Sequence, residues 1–196
     1  MLQDFWFNVE FGMDHVLDIN AYDHVLFLIS LTVPYLFRDW RRVLLLVSLF
    51  TLGHTLSLVL AAYDVVYVNS VIVEFLIPIT ILVMALYNVF TANRGGKKEK
   101  VGLLSISAVF FGLIHGLGFA GEFKMFAAGA PSKLALLVEF ALGIELAQVI
   151  IVFVVLFLSY IIQTIFRFSR RDWIMVISSI VVGLVIPMIL NSAMLS

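Results

Sequence analysis

LALLVEFALGIELAQVIIVFVVLFLSYIIQTIF, residues 134–166, contains no Lys, Arg or Asp and only two acids, Glu139 and Glu145. Wound as a helix at about 1.5 Å per residue it is about 50 Å long, more than the roughly 30 Å of a bilayer's hydrocarbon. Further apolar runs lie outward from it at roughly 22–37, 43–63, 71–91, 101–119 and 173–194. Of the 196 residues 63% are hydrophobic and 13% charged, and the mean hydropathy is +1.12. That apolar fraction exceeds the roughly half found in soluble domains. The expected fold is all-α: a polytopic membrane protein with about six transmembrane helices and a short N-terminal interfacial amphipathic segment.

The organisation expected is one transmembrane domain over 1–196, with 1–20 as an outer interfacial segment and 93–100 as a cytoplasmic linker. The opening MLQDFWFNVEFGMDH carries acids instead of a basic region and has no uninterrupted apolar core, so it does not read as a signal peptide. Leu2, Phe5, Trp6 and Val9 fall near one side of a helix, as in a segment lying at the interface. The absence of cysteine excludes disulfides, thiolate metal sites, iron–sulfur clusters and cysteine nucleophiles. Nothing in the composition points to nucleic acid.

Orientation follows from the basic residues, which are retained on the cytoplasmic side. Arg38, Arg41 and Arg42 follow the first run, Arg94, Lys97, Lys98 and Lys100 the third, and Arg167, Arg170 and Arg171 the fifth. Only Lys124 and Lys133 fall on the other side. Both termini are therefore expected outside the cytoplasm. Acids show the opposite bias, since only Asp39, Glu99 and Asp172 lie with the basic loops. The outer mouth attracts cations.

All four histidines then fall in the outer half. His15 and His24 lie in the N-terminal segment and at the outer end of the first run, while His54 and His115 lie about 20 Å along their helices. Glu74, Glu139 and Glu145 join them as intramembrane acids, with Gln148 on nearly the same face as Glu145. Each such group costs a few kcal/mol at membrane depth and needs a partner or a use. Singly, each has a plain structural explanation; their convergence at one depth favours a site. Thr51, His54 and Ser57 form a polar stripe, and Gly112 and Gly116 flank His115 in a pattern suited to tight helix packing. The outer end GFAGEFKMFAAGAP is expected to unwind or dip back. Imidazole and carboxylate without sulfur suit a divalent transition ion such as Ni, Co or Zn. Asp23 is open to three roles: ligand, orienting group for His24, or base.

FGMDHVLDINAYDHVLFLISL, FTLGHTLSL, VEFLIPI, FGLIHGLGFAG and LGIELAQ occur in an order that resembles the HupE/UreJ family, in its HupE/UreJ-2 branch. The resemblance spans about residues 10–150. It implies a small polytopic protein of the bacterial inner membrane, associated through relatives with nickel or cobalt uptake. By motif matching it carries over His15, Asp23, His24, His54, Glu74, His115, Glu145 and Gln148 as functional residues.

The leading expectation is a transition-metal permease. In it His15, Asp23, His24, His54, Glu74 and His115 would bind the ion, and Glu139, Glu145 and Gln148 would lie along the transport path. Its partners are the metal ion and the lipid bilayer, with a homo-oligomer or an accessory protein left open. The alternative is an intramembrane metal-dependent hydrolase acting on a lipid or membrane peptide, with Asp23 or Glu74 as base and Ser57 or Thr55 as a nearby hydroxyl.

Overall fold

A computed structural model of the chain describes residues 2–67, 69–93 and 101–195. Residues 94–100, which contain most of the expected cytoplasmic linker, lie outside the described residues. The described chain is helical throughout: α1 (Leu2–Leu17), α2 (Asp23–Thr32), a 3-10 turn (Phe37–Asp39), α3 (Trp40–Ala62), α4 (Ser70–Thr91), α5 (Val101–Ala127), α6 (Lys133–Thr164) and α7 (Arg170–Leu190). The helices from α3 to α7 are each long and apolar enough to cross a membrane. The protein is an all-α polytopic membrane protein.

Local chemistry sets the boundaries. Asn69, Ser132 and Ser169 stand in extended conformations at the starts of α4, α6 and α7, and each side chain accepts a bond from a first-turn backbone N–H. The run expected over 22–37 forms only the ten-residue α2. Val33 is still helical and donates to the Ile29 carbonyl, but Pro34 has no N–H for the Ser30 carbonyl, which accepts from Asn88 instead. At about 1.5 Å per residue α2 is about 15 Å long, half a hydrocarbon thickness. The expected unwinding after Gly118 does not occur, since α5 continues to Ala127. Phe119, Phe123 and Phe126 hold this extension by packing on Phe11 of α1 and Phe140 of α6.

Glycines let the helices approach closely enough to form the bundle. A Cβ on Gly112 would run into the Phe50 carbonyl, one on Gly53 into that of Val109, and one on Gly116 into His54 and Ser57. Residue numbers rise together along this contact, so α3 and α5 are parallel. Gly12 and Gly143 do the same for α1 and α6, where either Cβ would meet backbone of the other helix. The N-terminal segment is thus a helix docked lengthwise on α6. The start of α4 lies beside the end of α7, since Glu74 shares a cavity with Met188 and Ser192. Asn88 near the end of α4 donates to the Ser30 carbonyl near the end of α2. Hence α1, α2, α4 and α6 run one way, and α3, α5 and α7 the other. Helices α1 and α2 follow one another in the same direction, broken at residues 18–22. The site forms around that break.

Candidate metal centre

His15 occupies the last turn of α1, Asp23 and His24 the first turn of α2, His54 the second half of α3, and His115 the middle of α5. Their side chains meet. The ring of His24 is 4.7 Å from that of His15, 5.5 Å from that of His54 and 5.2 Å from that of His115, centroid to centroid. His15 and His54 are 5.5 Å apart. Two groups have one donor atom per residue within 4.8 Å of one another: His15, His24 and His54, and Asp23, His24 and His115. His54 is fully buried, and His24 and His115 are 3% and 1% exposed.

The hydrogen bonds fix which nitrogens are free. The Thr80 hydroxyl lies 2.7 Å from the Ile77 carbonyl and 3.1 Å from His115 Nε2. A hydroxyl has one proton; given to the carbonyl, it leaves the oxygen to accept from Nε2–H, so His115 presents a lone pair at Nδ1. Asp23 Oδ1 accepts from the His24 backbone N–H at 2.8 Å and lies 3.0 Å from its Nδ1. With the carboxylate as acceptor, His24 presents its lone pair at Nε2. Among the described residues, His15 Nε2, His24 Nε2, both nitrogens of His54 and His115 Nδ1 are buried without a hydrogen-bond partner. A buried polar atom left so costs roughly 1–3 kcal/mol. One lone pair from each of these four imidazoles gives the two adjoining groups a donor set suited to a divalent transition ion.

Glu74 belongs to neither group. With Asp23, Ile77, Pro78, Met188 and Ser192 it lines a cavity of about 230 Å³ between the start of α4 and the end of α7. Pro78 cannot donate to the Glu74 carbonyl one turn earlier, which loosens α4 beside this vestibule. The residues expected along the transport path, Glu139, Glu145 and Gln148, tie helices together. Glu139 accepts from Asn8 at 2.6 Å, joining α6 to α1. Glu145 accepts from Ser48 at 2.5 Å and from Thr51 at 2.6 Å, and Thr51 also lies 2.9 Å from Gln148 Oε1. This knot between α3 and α6 sits one turn to the basic-loop side of His54. Ser57 donates to the His54 carbonyl, and its hydroxyl is committed there.

Two features were missed in the sequence. Thr80, which sets the His115 tautomer, stands two residues after Pro78 with nothing in the sequence to pair it with a histidine 35 positions away. Phe27, Phe50 and Phe111 form an aromatic layer, with Phe27 and Phe50 stacked at 4.6 Å and Phe27 edge-on to Phe111 at 5.8 Å. Each lies one turn from a site histidine, on its basic-loop side. The signal was present: F-x-x-x-H occurs at 50–54 and 111–115, and Phe27 follows His24 by three.

The chain matches the HupE / UreJ protein family over residues 1–192. It belongs to that family. The match takes in every helix that contributes a donor, so the resemblance of the five motifs extends over nearly the whole chain. No curated protein and no solved structure matches it.

Proposed function

We propose that this HupE / UreJ protein binds a divalent transition-metal ion, of the nickel, cobalt or zinc kind, at the histidine cluster and carries it across the membrane. The observation that carries the reading is the set of five buried imidazole nitrogens without partners, drawn from four helices. Family membership supports a metal as the cargo. The vestibule gives the ion a way in, with Asp23 and Glu74 as its acidic lining. Inward passage leads through the Phe27, Phe50 and Phe111 layer toward Gln148 and Glu145, while Glu139 braces α1.

The orientation proposed is the inner membrane of a bacterium with both termini outside the cytoplasm. Arg170 donates to the Pro34 carbonyl, which brings the basic segments after α2 and α6 to one end of the bundle. Lys124 and Lys133 pair with Asp64 and the Ala62 carbonyl at the other end. Retention of Lys and Arg in the cytoplasm then sets the vestibule outward.

The test is uptake by proteoliposomes containing the purified protein, read with an internal metal-sensitive dye and by elemental analysis. Time-dependent accumulation of Ni²⁺ or Co²⁺, lost in His54→Gln and His115→Gln, is expected. Protein that binds the ion and never moves it overturns the transport reading; protein that binds none overturns the metal site.

A further inference from the structure

Resting on the metal-binding reading above, we propose that the cluster comprises two mutually exclusive metal stations that share the imidazole of His24. One, made by Asp23, His24 and His115, faces the vestibule. The other, made by His15, His24 and His54, is enclosed by α1, α3 and α6.

His24 alone is common to the two donor groups. A neutral imidazole has one lone pair and one N–H, and a metal ligand must offer the lone pair. It can therefore serve one station at a time. In the structure Nδ1 faces Asp23 Oδ1 at 3.0 Å and Nε2 is buried without a partner. This tautomer presents Nε2, and the bare nitrogens of His15 and His54 complete a three-nitrogen station around it.

The second station needs the other tautomer. An ion held between Asp23 and His115 takes the place of the Nδ1 proton; one proton leaves at Nδ1, one is taken up at Nε2, and the ring stays neutral. Asp23 then changes from hydrogen-bond acceptor to ligand. His115 is ready in either case, because Thr80 holds its Nε2–H and leaves Nδ1 open. The roles open to Asp23 thus separate by state: it binds the ion in one and orients His24 in the other. Access ranks the stations, since Asp23 lines the vestibule and keeps 18% of its side chain exposed whereas His54 is fully buried. An entering ion meets the Asp23 station first. Repulsion between two dications sharing a ligand also favours occupation in turn.

The experiment titrates Co²⁺ into purified wild type and the His54→Gln, His115→Gln, Asp23→Asn and His24→Gln variants, reading stoichiometry by elemental analysis and donor type by visible absorption. His54→Gln should hold one Co²⁺ with a mixed nitrogen–oxygen spectrum. His115→Gln and Asp23→Asn should each hold one with an all-nitrogen spectrum, and His24→Gln should bind at least tenfold more weakly than any of them. The wild type should hold one ion whose spectrum is a temperature-dependent sum of the two. Loss of binding in both His54→Gln and His115→Gln, each folded by circular dichroism, means a single centre and overturns the proposal. So does unimpaired binding by His24→Gln. Where a variant does not fold, a single temperature-invariant spectrum in the wild type overturns it. A wild type that binds no Co²⁺ overturns the metal-binding reading itself, a distinct result.

Discussion

Gly12→Ala moves one ligand without altering any. An Ala Cβ at position 12 would be driven into the Phe140 carbonyl and against the Cα of Gly143. Restoring an ordinary carbon contact of about 3.5–4 Å requires α1 to retreat from α6 by about 1 Å or more. His15 lies one turn further along α1 and moves with it, while Asp23, His24, His54 and His115 are carried by other helices. A zinc-type ion accepts imidazole nitrogen at about 2.0–2.1 Å, so a shift of that size takes His15 out of coordination. Losing the support of a ligand typically weakens a metal site by about 10–100-fold, a loss read directly in a His115→Gln background, where the Asp23 station no longer holds the ion. Stability should fall less: overpacking costs about 1–3 kcal/mol, and replacing a mid-helix glycine by alanine returns about 1 kcal/mol. Calorimetric Co²⁺ titration in detergent, beside a thermal melt, measures both. Gly121→Ala is the control, because a Cβ there meets nothing within 4 Å. Affinity in Gly12→Ala/His115→Gln equal to that of His115→Gln alone, with Gly121→Ala also without effect, would refute the claim that α1 docking places His15.

Thr80→Val keeps the shape of the side chain but frees His115 Nε2, so in a His54→Gln background, where only the Asp23 station remains, Co²⁺ affinity should drop by about 10–100-fold with the melting temperature little changed; an unchanged titration removes Thr80 from the site. Glu74→Gln should slow metal uptake a few-fold at low ionic strength and have little effect at high salt, leaving equilibrium affinity as in wild type, because it takes one charge from the vestibule. Equal slowing at all salt concentrations would instead make Glu74 a ligand. The hydrogen bond and charge of Lys124 hold the Asp64 carboxyl below its ordinary 3.8. A lowered folded value means the stabilisation is fully present above 3.8 and is lost below it, as pH falls through the lowered folded value. Asp64 also sits at φ 57, which Asn tolerates equally. Asp64→Asn should therefore melt slightly lower than wild type at pH 7 and together with it at acid pH; a gap persisting at acid pH would contradict the pairing.

The helical fold was legible because hydropathy and length decide it: the five longest apolar runs each became a helix long enough to span. The shortest run shows where that signal stops, since Pro34 cut the stretch over 22–37 to the ten-residue α2. Depth was legible for the histidines, because counting residues along a helix measures height. Azimuth was not, and it separates Glu74 from the cluster. Glu74 has the right height but turns with Ile77 and Pro78 toward α7. Glu139 and Glu145 likewise have plausible depths, yet their partners Asn8, Ser48 and Thr51 lie on other helices. Pairwise glycine contacts such as Gly12 with Gly143 belong to the packed state and leave no mark in either segment alone. The N-terminal helix could be read as amphipathic, but not as docked.

The break between α1 and α2 makes the site. In one continuous helix His15 and His24, nine residues apart, would be separated by about 13 Å along the axis and turned to opposite faces. No single ion could touch both. The interruption brings their rings to 4.7 Å. Its chemistry is local: Asp18 Oδ1 accepts from the backbone N–H of Asn20 at 2.8 Å and from its side chain at 3.2 Å, a turn that competes with helix at this Asp-Ile-Asn sequence. The break also sets the local field. It places the partly negative C-terminal end of α1 beside His15, which favours a bound cation. The partly positive N-terminal end of α2 would disfavour one, and it is there that the chain places Asp23, whose carboxylate offsets that end. A cation site between two helix ends needs an acid on the second, and α2 begins with Asp23, while at the end of α1 Asp14 and Asp18 flank His15 in sequence and add to the negative end.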